Sequence, residues 1–285
     1  TPVTEADINK DVPTDKVKVG ATDLTVKATV KYPTGDETVE VPVKVLPKAT
    51  PTGVTVLKDT DDKALTDAVK EKATEAVSKL TNLPEGITAS LDERETSYTL
   101  PKTDSNGDKD TVPVKVLYKD DKGNVVGEDT INVPVKVVSS TPKSVVVFEG
   151  DTPNSEDVKK GITPGEGGTV GDPTNVPSTV GKAGDKDVEV EVPVTYENGK
   201  FKENVKVPVT VLPKPTADSV IVPKDLSEKE LKDKVGKDAE NAINNEEFKK
   251  KLPEGATVKV DLTNVTLPKT STPGKAGEVE VPVIY

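Results

Sequence analysis

Residues 188–211 read Val-Glu-Val-Glu-Val-Pro-Val-Thr-Tyr-Glu-Asn-Gly-Lys-Phe-Lys-Glu-Asn-Val-Lys-Val-Pro-Val-Thr-Val. Val188, Val190, Val192, Val194 and Tyr196 alternate with polar residues, and Val207, Val209 and Val211 do so again after Asn198-Gly199. A two-residue period, β-branched side chains and an Asn-Gly turn specify a β-hairpin with one apolar and one wet face. Such a sheet covers a core on one side only. Leu24, Val26, Ala28, Val30 and Tyr32 repeat the pattern, turn at Pro33-Thr34-Gly35-Asp36, and return through Val39, Val41, Val43 and Val45.

The tripeptide Val-Pro-Val occurs six times, at 41–43, 112–114, 133–135, 192–194, 207–209 and 281–283. Tyr32, Tyr118, Tyr196 and Tyr285 mark the hairpins and lie 86, 78 and 89 residues apart. That period is too long for a solenoid repeat and suits a small domain. The prolines fall on the wet face and cannot donate to a ladder, which predicts edge strands or solvent-facing positions. Such prolines also hinder edge-to-edge aggregation.

Each period also has a beginning. A short apolar strand opens it: Val54–Leu57, Val145–Phe148 or Val220–Val222. A helix follows, with Leu65, Val69, Ala73, Val77 and Leu80 on one face. In the last period Ser227 and Glu230 form a capping box ahead of Leu231 and Val235, and Gly236 is expected to interrupt that helix. Leu83-Pro84-Glu85-Gly86 and Leu252-Pro253-Glu254-Gly255 are stop signals. The third period has only a stub near Ser155–Lys160 and a Gly-rich turn over 163–168. The expected units are 1–47 (its opening strand missing), 48–140, 141–213 (with a shortened helix) and 214–285, which stops before its last strand. Pro-containing linkers at 46–51 and 212–216 should be stiff. Both ends read as cut from a longer array.

Composition narrows the chemistry. The 285 residues contain no Cys, His, Met or Trp, and only five Tyr and three Phe. Imidazole-dependent catalysis, disulfides, thiolate metal sites and iron–sulfur clusters are excluded. The net charge is −11, and Arg94 is the single arginine, which argues against nucleic-acid binding. No apolar run reaches the roughly 20 residues of a membrane span. So few large apolar side chains favour several small cores over one.

At this point the chain resembles the Rib/alpha-like repeat domains of Gram-positive cell-wall-anchored surface proteins. The resemblance rests on the helix followed by Leu-Pro-Glu-Gly, the approach Thr272-Pro273-Gly274-Lys275, the turns Tyr32-Pro33-Thr34-Gly35 and Tyr196-Glu197-Asn198-Gly199, and the closing Val-Pro-Val strands. Two copies depart from it: Tyr118 is followed by Lys-Asp-Asp, and the third unit lacks Leu-Pro-Glu-Gly. The resemblance implies a mainly β chain of tandem immunoglobulin-like β-sandwiches with helical insertions. It also implies a stalk role in adhesins.

The candidate sites are few. Asp104, Asn106, Asp108 and Asp110 place oxygen ligands at alternate positions, which suits Ca²⁺. However, Lys109 and Lys115 stand where an EF-hand needs Gly and Glu, so a solvated acidic turn is the preferred reading. Asp59-Thr60-Asp61-Asp62 reads as a helix cap. Leu100-Pro101-Lys102-Thr103 and Leu267-Pro268-Lys269-Thr270 resemble sortase signals, but Asp104 and Ser271 replace the required glycine, so both read as turns. Lys27, Lys44 and Lys115 fall on the wet face, unsuited to a buried isopeptide crosslink. No catalytic residue, metal or cofactor is assigned.

The resulting expectation is a non-enzymatic, extracellular stalk. It would be monomeric, anchored to the cell wall through other regions, and partnered by neighbouring repeats of its own chain. The alternative is that the repeats bind a host or neighbouring-cell protein through exposed sheet edges.

Overall fold

A computed structural model describes Ala6–Ile8, residue 19, Thr25–Tyr32 and residues 35–95, 97–184, 188–274 and 277–285. The chain is mainly β, with several separate sheets, and divides into two compact units, Thr1–Ser139 and Ser140–Tyr285.

The first unit opens with a three-stranded antiparallel sheet of β1 (Ala6–Ile8), β2 (Thr25–Tyr32) and β3 (Gly35–Pro42). The β2–β3 register, from Thr25↔Pro42 to Tyr32↔Gly35, is the hairpin expected from the alternation. The turn residues Pro33 and Thr34 lie outside the described residues, as do most of residues 1–24. The expected apolar face is not covered, however. Every residue of β3 is exposed, including Val39 and Val41. Alternation sets which side chains share a face; burial needs a second layer, and none of the described residues supplies one here.

The rest of that unit is complete. Opening strand β4 (Val54–Leu57) leads into α1 (Asp62–Ser78), then β5 (Thr88–Leu91) and the long hairpin β6 (Gly107–Lys119) and β7 (Val125–Val138). The sheet order is β4-β7-β6-β5. β4 runs parallel to β7, from Val54↔Val135 to Leu57↔Val138, so the second hairpin arm is held between the opening strand and the first arm. Helix α1 starts where Asp61 accepts a bond from the Ala64 amide at 2.7 Å. Its face of Leu65, Val69 and Ala73 lies fully buried against Val112, Val114, Val116, Val133 and Val135.

The second unit repeats this plan. Its first sheet has the order β11-β12-β13-β9, built from β9 (Val145–Phe148), β11 (Thr169–Val170), β12 (Val188–Tyr196) and β13 (Phe201–Leu212). β9 again runs parallel to the second hairpin arm, from Val145↔Val209 to Leu212↔Phe148. The stub helix α2 (Ser155–Lys160) is capped by Asn154. A small pair, β8 (Thr141–Pro142) with β10 (Ile162–Thr163), flanks it. Beyond residue 213 come α3 (Glu228–Asn244), the short α4 (Glu246–Lys249), and the two-residue pair β14 (Lys259–Val260) with β15 (Val283–Ile284).

Two expectations need correction. Pro42 lies on the edge strand β3, and Pro113 and Pro134 are exposed, but Pro113, Pro134, Pro193 and Pro208 are not on edge strands, since β6, β7, β12 and β13 are the inner strands. They are tolerated because the outer ladders stop short of them. The β4 ladder begins at Val135 beside Pro134, the β9 ladder at Val209 beside Pro208, and the β11 ladder ends at Val194 beside Pro193. Pro134 and Pro208 thus occupy local edges, where a missing N–H removes no bond to the outer strand, whereas the chain after β11 continues past Pro193, whose carbonyl accepts the Gly171 amide at 2.8 Å. Second, Gly236 does not interrupt its helix: α3 is continuous, and the capping box is present. A Cβ at Gly236 would lie 2.5 Å from Leu262 Cδ1, so the glycine permits close packing there.

The two long helices align residue by residue from their caps, Leu65 with Leu231, Val69 with Val235 and Ala73 with Ala239. The first set is 0% exposed and the second 6–9%. Leu65→Ala should therefore cost about 2–5 kcal/mol, with Leu231→Ala costing less because its surroundings are less filled. Denaturant unfolding followed separately for Thr1–Ser139 and Ser140–Tyr285 measures both.

Candidate functional site

The acidic stretch after Lys102 is a turn tied to the sheet. Asp104 accepts from the Ser105 hydroxyl at 3.3 Å, and Lys136 pairs with Asp108 at 3.5 Å. Asn106 donates to the Ser139 carbonyl at 3.4 Å and accepts from the Ser139 hydroxyl at 2.9 Å. Asp110 is exposed on β6. Among the described residues no three acidic side chains converge in a way that could hold a metal.

The two sortase-like tetrapeptides share one structural job. The Asp59 amide donates to the Thr103 carbonyl at 2.9 Å, and the Thr103 hydroxyl donates to the Thr60 carbonyl at 2.8 Å. Likewise the Asp225 amide donates to the Thr270 carbonyl at 3.0 Å, and the Thr270 hydroxyl to the Leu226 carbonyl at 3.2 Å. Asp59 and Asp225 both take left-handed backbone, φ 61 and 58, which a short polar side chain tolerates. Each tetrapeptide therefore clamps the tight bend that leads into a long helix, although the expected opening strand over Val220–Val222 is not formed ahead of the second.

A denser set of contacts gathers around Pro47, Ser140 and Pro213, where three of the marker tyrosines meet the chain. Tyr118, 1% exposed, donates its hydroxyl to the Pro47 carbonyl, and Tyr285 donates to the Pro213 carbonyl. Tyr196 donates to Glu203 Oε2 at 3.0 Å and lies 2.9 Å from the Ser140 hydroxyl. That carboxylate also accepts the Ser140 amide at 2.9 Å. Burial pushes all three phenols above the ordinary tyrosine value, so they remain donors through the neutral range. The repeat tyrosine thus fastens the chain segment that enters its own hairpin.

The segment around Pro213 is gripped from its other side as well. Glu149, just past β9, accepts the Lys214 amide at 3.0 Å and the Ala183 amide at 3.2 Å. The Lys214 amide bond is the main reason its carboxyl lies below the usual range. Asp151 pairs with Lys214 Nζ at 2.6 Å. Phe148 meets the Tyr285 ring edge-on, with centroids 5.2 Å apart. Near Pro47, Leu46 lies over Gly127, where an added Cβ would come within 2.4 Å of its Cδ1, and Lys48 reaches Asp129 at 3.3 Å. The marker tyrosines were legible as repeat signals, but Glu149, Asp151, Ser140 and Glu203 carry no sequence motif.

One further cluster lies beside β5. Arg94 grips Asp92 with Nε at 2.8 Å and Nη2 at 2.9 Å. Asp92 is 7% exposed, and the Arg94 hydrogen bond lowers its pKa from 3.8 to about 2. A groove of about 420 Å³ opens next to it, with Lys70 Nζ 5.6 Å from the centroid of the Tyr98 ring. These contacts fix the β5–β6 connection, with the Asp92 amide also donating to the Lys115 carbonyl at 3.0 Å.

No family model matches the chain, and no curated protein does. Among solved structures, the chain is similar to an endo-fucoidan hydrolase of glycoside hydrolase family 107, at 10% identity over 67% of this chain and 34% of that one, with a TM-score of 0.17. It is also similar to the sialic-acid-binding region of a Streptococcus sanguinis SK1 adhesin, at 15% identity over 94% of this chain and 75% of that one, with a TM-score of 0.22. A third is the protocadherin gamma B7 extracellular cadherin domains 1–4, at 11% identity over 72% and 62%, with a TM-score of 0.20. The expectation of a non-enzymatic chain is corrected here: the likeness to hydrolases stands against it, and it is withdrawn. The chain spans about a third of the hydrolase's length, and at these TM-scores no activity or ligand is transferred. No helix of the described residues is long and apolar enough to cross a membrane.

The Asp92 carboxylate is stabilised in the folded chain, so its contribution is complete above about pH 3.8 and is lost as the pH falls towards 2. A carboxyl-carbon NMR titration should place its midpoint near 2, and Arg94→Gln should return it towards 3.8. Tyr118→Phe leaves the buried Pro47 carbonyl without its donor and should cost about 1–3 kcal/mol. Thermal unfolding measures the loss, and backbone relaxation should show greater motion over residues 46–49.

Proposed function

We propose that this chain is a tandem-repeat spacer of a Gram-positive bacterial surface adhesin. It would be extracellular, attached to the cell wall, and would carry a distal binding region outward. In this reading the repeats are Rib-like, immunoglobulin-like units over 48–140, 141–213 and 214–285, preceded by a partial unit over 1–47. Each complete one inserts a helix between its opening strand and the remaining strands of its sheet.

The observation that carries the proposal is the Leu212–Lys214 junction. Its upstream neighbours Glu149 and Asp151 hold Lys214, while Tyr285 from downstream holds the Pro213 carbonyl. A linker fixed at adjacent residues by both repeats has little freedom to act as a hinge, and proline restricts it further. A spacer needs that property, since each loose joint shortens its reach. The charge of −11 supports the same role by keeping neighbouring stalks apart. With no Cys or Met the chain lacks the main oxidation targets.

Solution scattering tests the proposal. A single compact body of 285 residues would have a radius of gyration of about 19 Å. A spacer should give a much larger value, together with the distance distribution of an elongated particle. A value near 19 Å would overturn it.

A further inference from the structure

The segment that follows a long helix occurs twice, and its two copies make the same bonds. The Asp92 amide donates to the Lys115 carbonyl at 3.0 Å, and the Asp261 amide to the Pro282 carbonyl at 2.9 Å. Each carboxylate accepts the amide two residues on, Arg94 at 3.1 Å and Thr263 at 2.9 Å. The copies part at the next position. There the second copy has Leu262, which packs so closely on α3 that a Cβ at Gly236 would lie 2.5 Å from its Cδ1. The first copy has Glu93 there, and counting from the helix caps puts Lys70 of α1 where α3 has Gly236. No leucine fills that place, and the groove of about 420 Å³ stays open between α1 and β5. Val77, Leu91 and Tyr98 give it an apolar lining, and Lys70, Glu93 and Glu95 a charged one. Glu95 is already fixed, since its Oε2 accepts the Lys115 amide at 3.1 Å. β5 is the outermost strand of its sheet, so the groove runs beside an edge that is unpaired among the described residues.

We propose that this groove binds an extended peptide segment of another protein, one that carries a leucine with a basic residue two positions away on either side. The leucine follows from the sister copy, which closes the same place with its own Leu262. The basic flanks follow from charge. Arg94 neutralises Asp92 through two bonds, and the remaining carboxylates, Glu93 and Glu95, outweigh Lys70. Residues two apart in an extended chain share a face. One segment lying along β5 therefore seats its leucine on Val77, Leu91 and Tyr98 and brings its basic side chains to the two glutamates. Main-chain bonds to the outer edge of β5 add affinity, while the groove and its charges select the sequence. The volume is at the small end for a ligand pocket, room for one side chain and its backbone rather than for a helix. This inference goes beyond the spacer role and does not rest on it.

The probe is an acetylated, amidated Lys-Thr-Leu-Thr-Lys peptide, titrated into the full 285-residue chain and followed by amide chemical shifts. Saturable shifts are expected, confined to residues 70–78 and 88–95. A peptide with alanine in place of the leucine should bind at least about tenfold more weakly, the worth of burying a side chain of that size. One with glutamates in place of the lysines should bind several-fold more weakly, through repulsion from Glu93 and Glu95. Lys70→Gly combined with Glu93→Leu copies the Gly236–Leu262 contact and should abolish binding by filling the groove from within. If that variant does not fold, the peptide comparisons on the unaltered chain still decide. The proposal is overturned by lack of saturable shifts, by equal binding of either altered peptide, by shifts centred elsewhere on the chain, or by undiminished binding to the folded double variant.

Discussion

The pairing that each repeat depends on is the parallel one between its opening strand and the second arm of its hairpin. In the first unit it joins Val54 to Val135, and in the second Val145 to Val209. The helix follows the opening strand directly, so this pairing also sets where the helix face lands. Where the pairing is made, Leu65, Val69 and Ala73 are sealed. Where it is not, their counterparts in α3 border an open cavity. One long-range ladder therefore decides how tightly the helix face is covered.

The same ladder explains the prolines. A Val-Pro-Val tripeptide in an inner strand is tolerated because the outer strands are only two to four residues long, and β4 and β9 pair only beyond Pro134 and Pro208. Short outer strands leave local edges inside the sheet, and the prolines mark them. The arrangement also limits aggregation, because the exposed backbone beside Pro134 and Pro208 is poor template for another strand.

Hairpins, helices and caps were legible because their causes are local. Period-two valines, the Ser227–Glu230 capping box and the Asp61 cap each act within a few residues. The parallel closure was not legible, since nothing near Val54 names Val135 as its partner. Burial was overestimated for Val39 and Val41 for the same reason: alternation chooses a face, and only a distant segment can cover it. Gly236 was misread because helix propensity takes no account of Leu262. Asp104, Asn106, Asp108 and Asp110 were read as a solvated turn because Lys109 and Lys115 break the calcium pattern, and the first three meet separate partners, Ser105, Ser139 and Lys136.

Two of the few aromatics, Tyr118 and Tyr196, are the largest side chains fully buried, among cores made otherwise of valine, leucine, isoleucine and alanine. Tyr118, Tyr196 and Tyr285 each carry a phenol past the core, to a linker carbonyl or, in Tyr196, to the Ser140–Glu203 pair. Phenylalanines gather beside them, Phe201 stacked on Tyr196 and Phe148 edge-on to Tyr285, both with centroids 5.2 Å apart. Valine thus holds each repeat together internally, and tyrosine ties it to the segment that precedes it. A substitution within the first group should weaken one repeat, whereas a substitution within the second should loosen a junction and leave the repeats on either side folded.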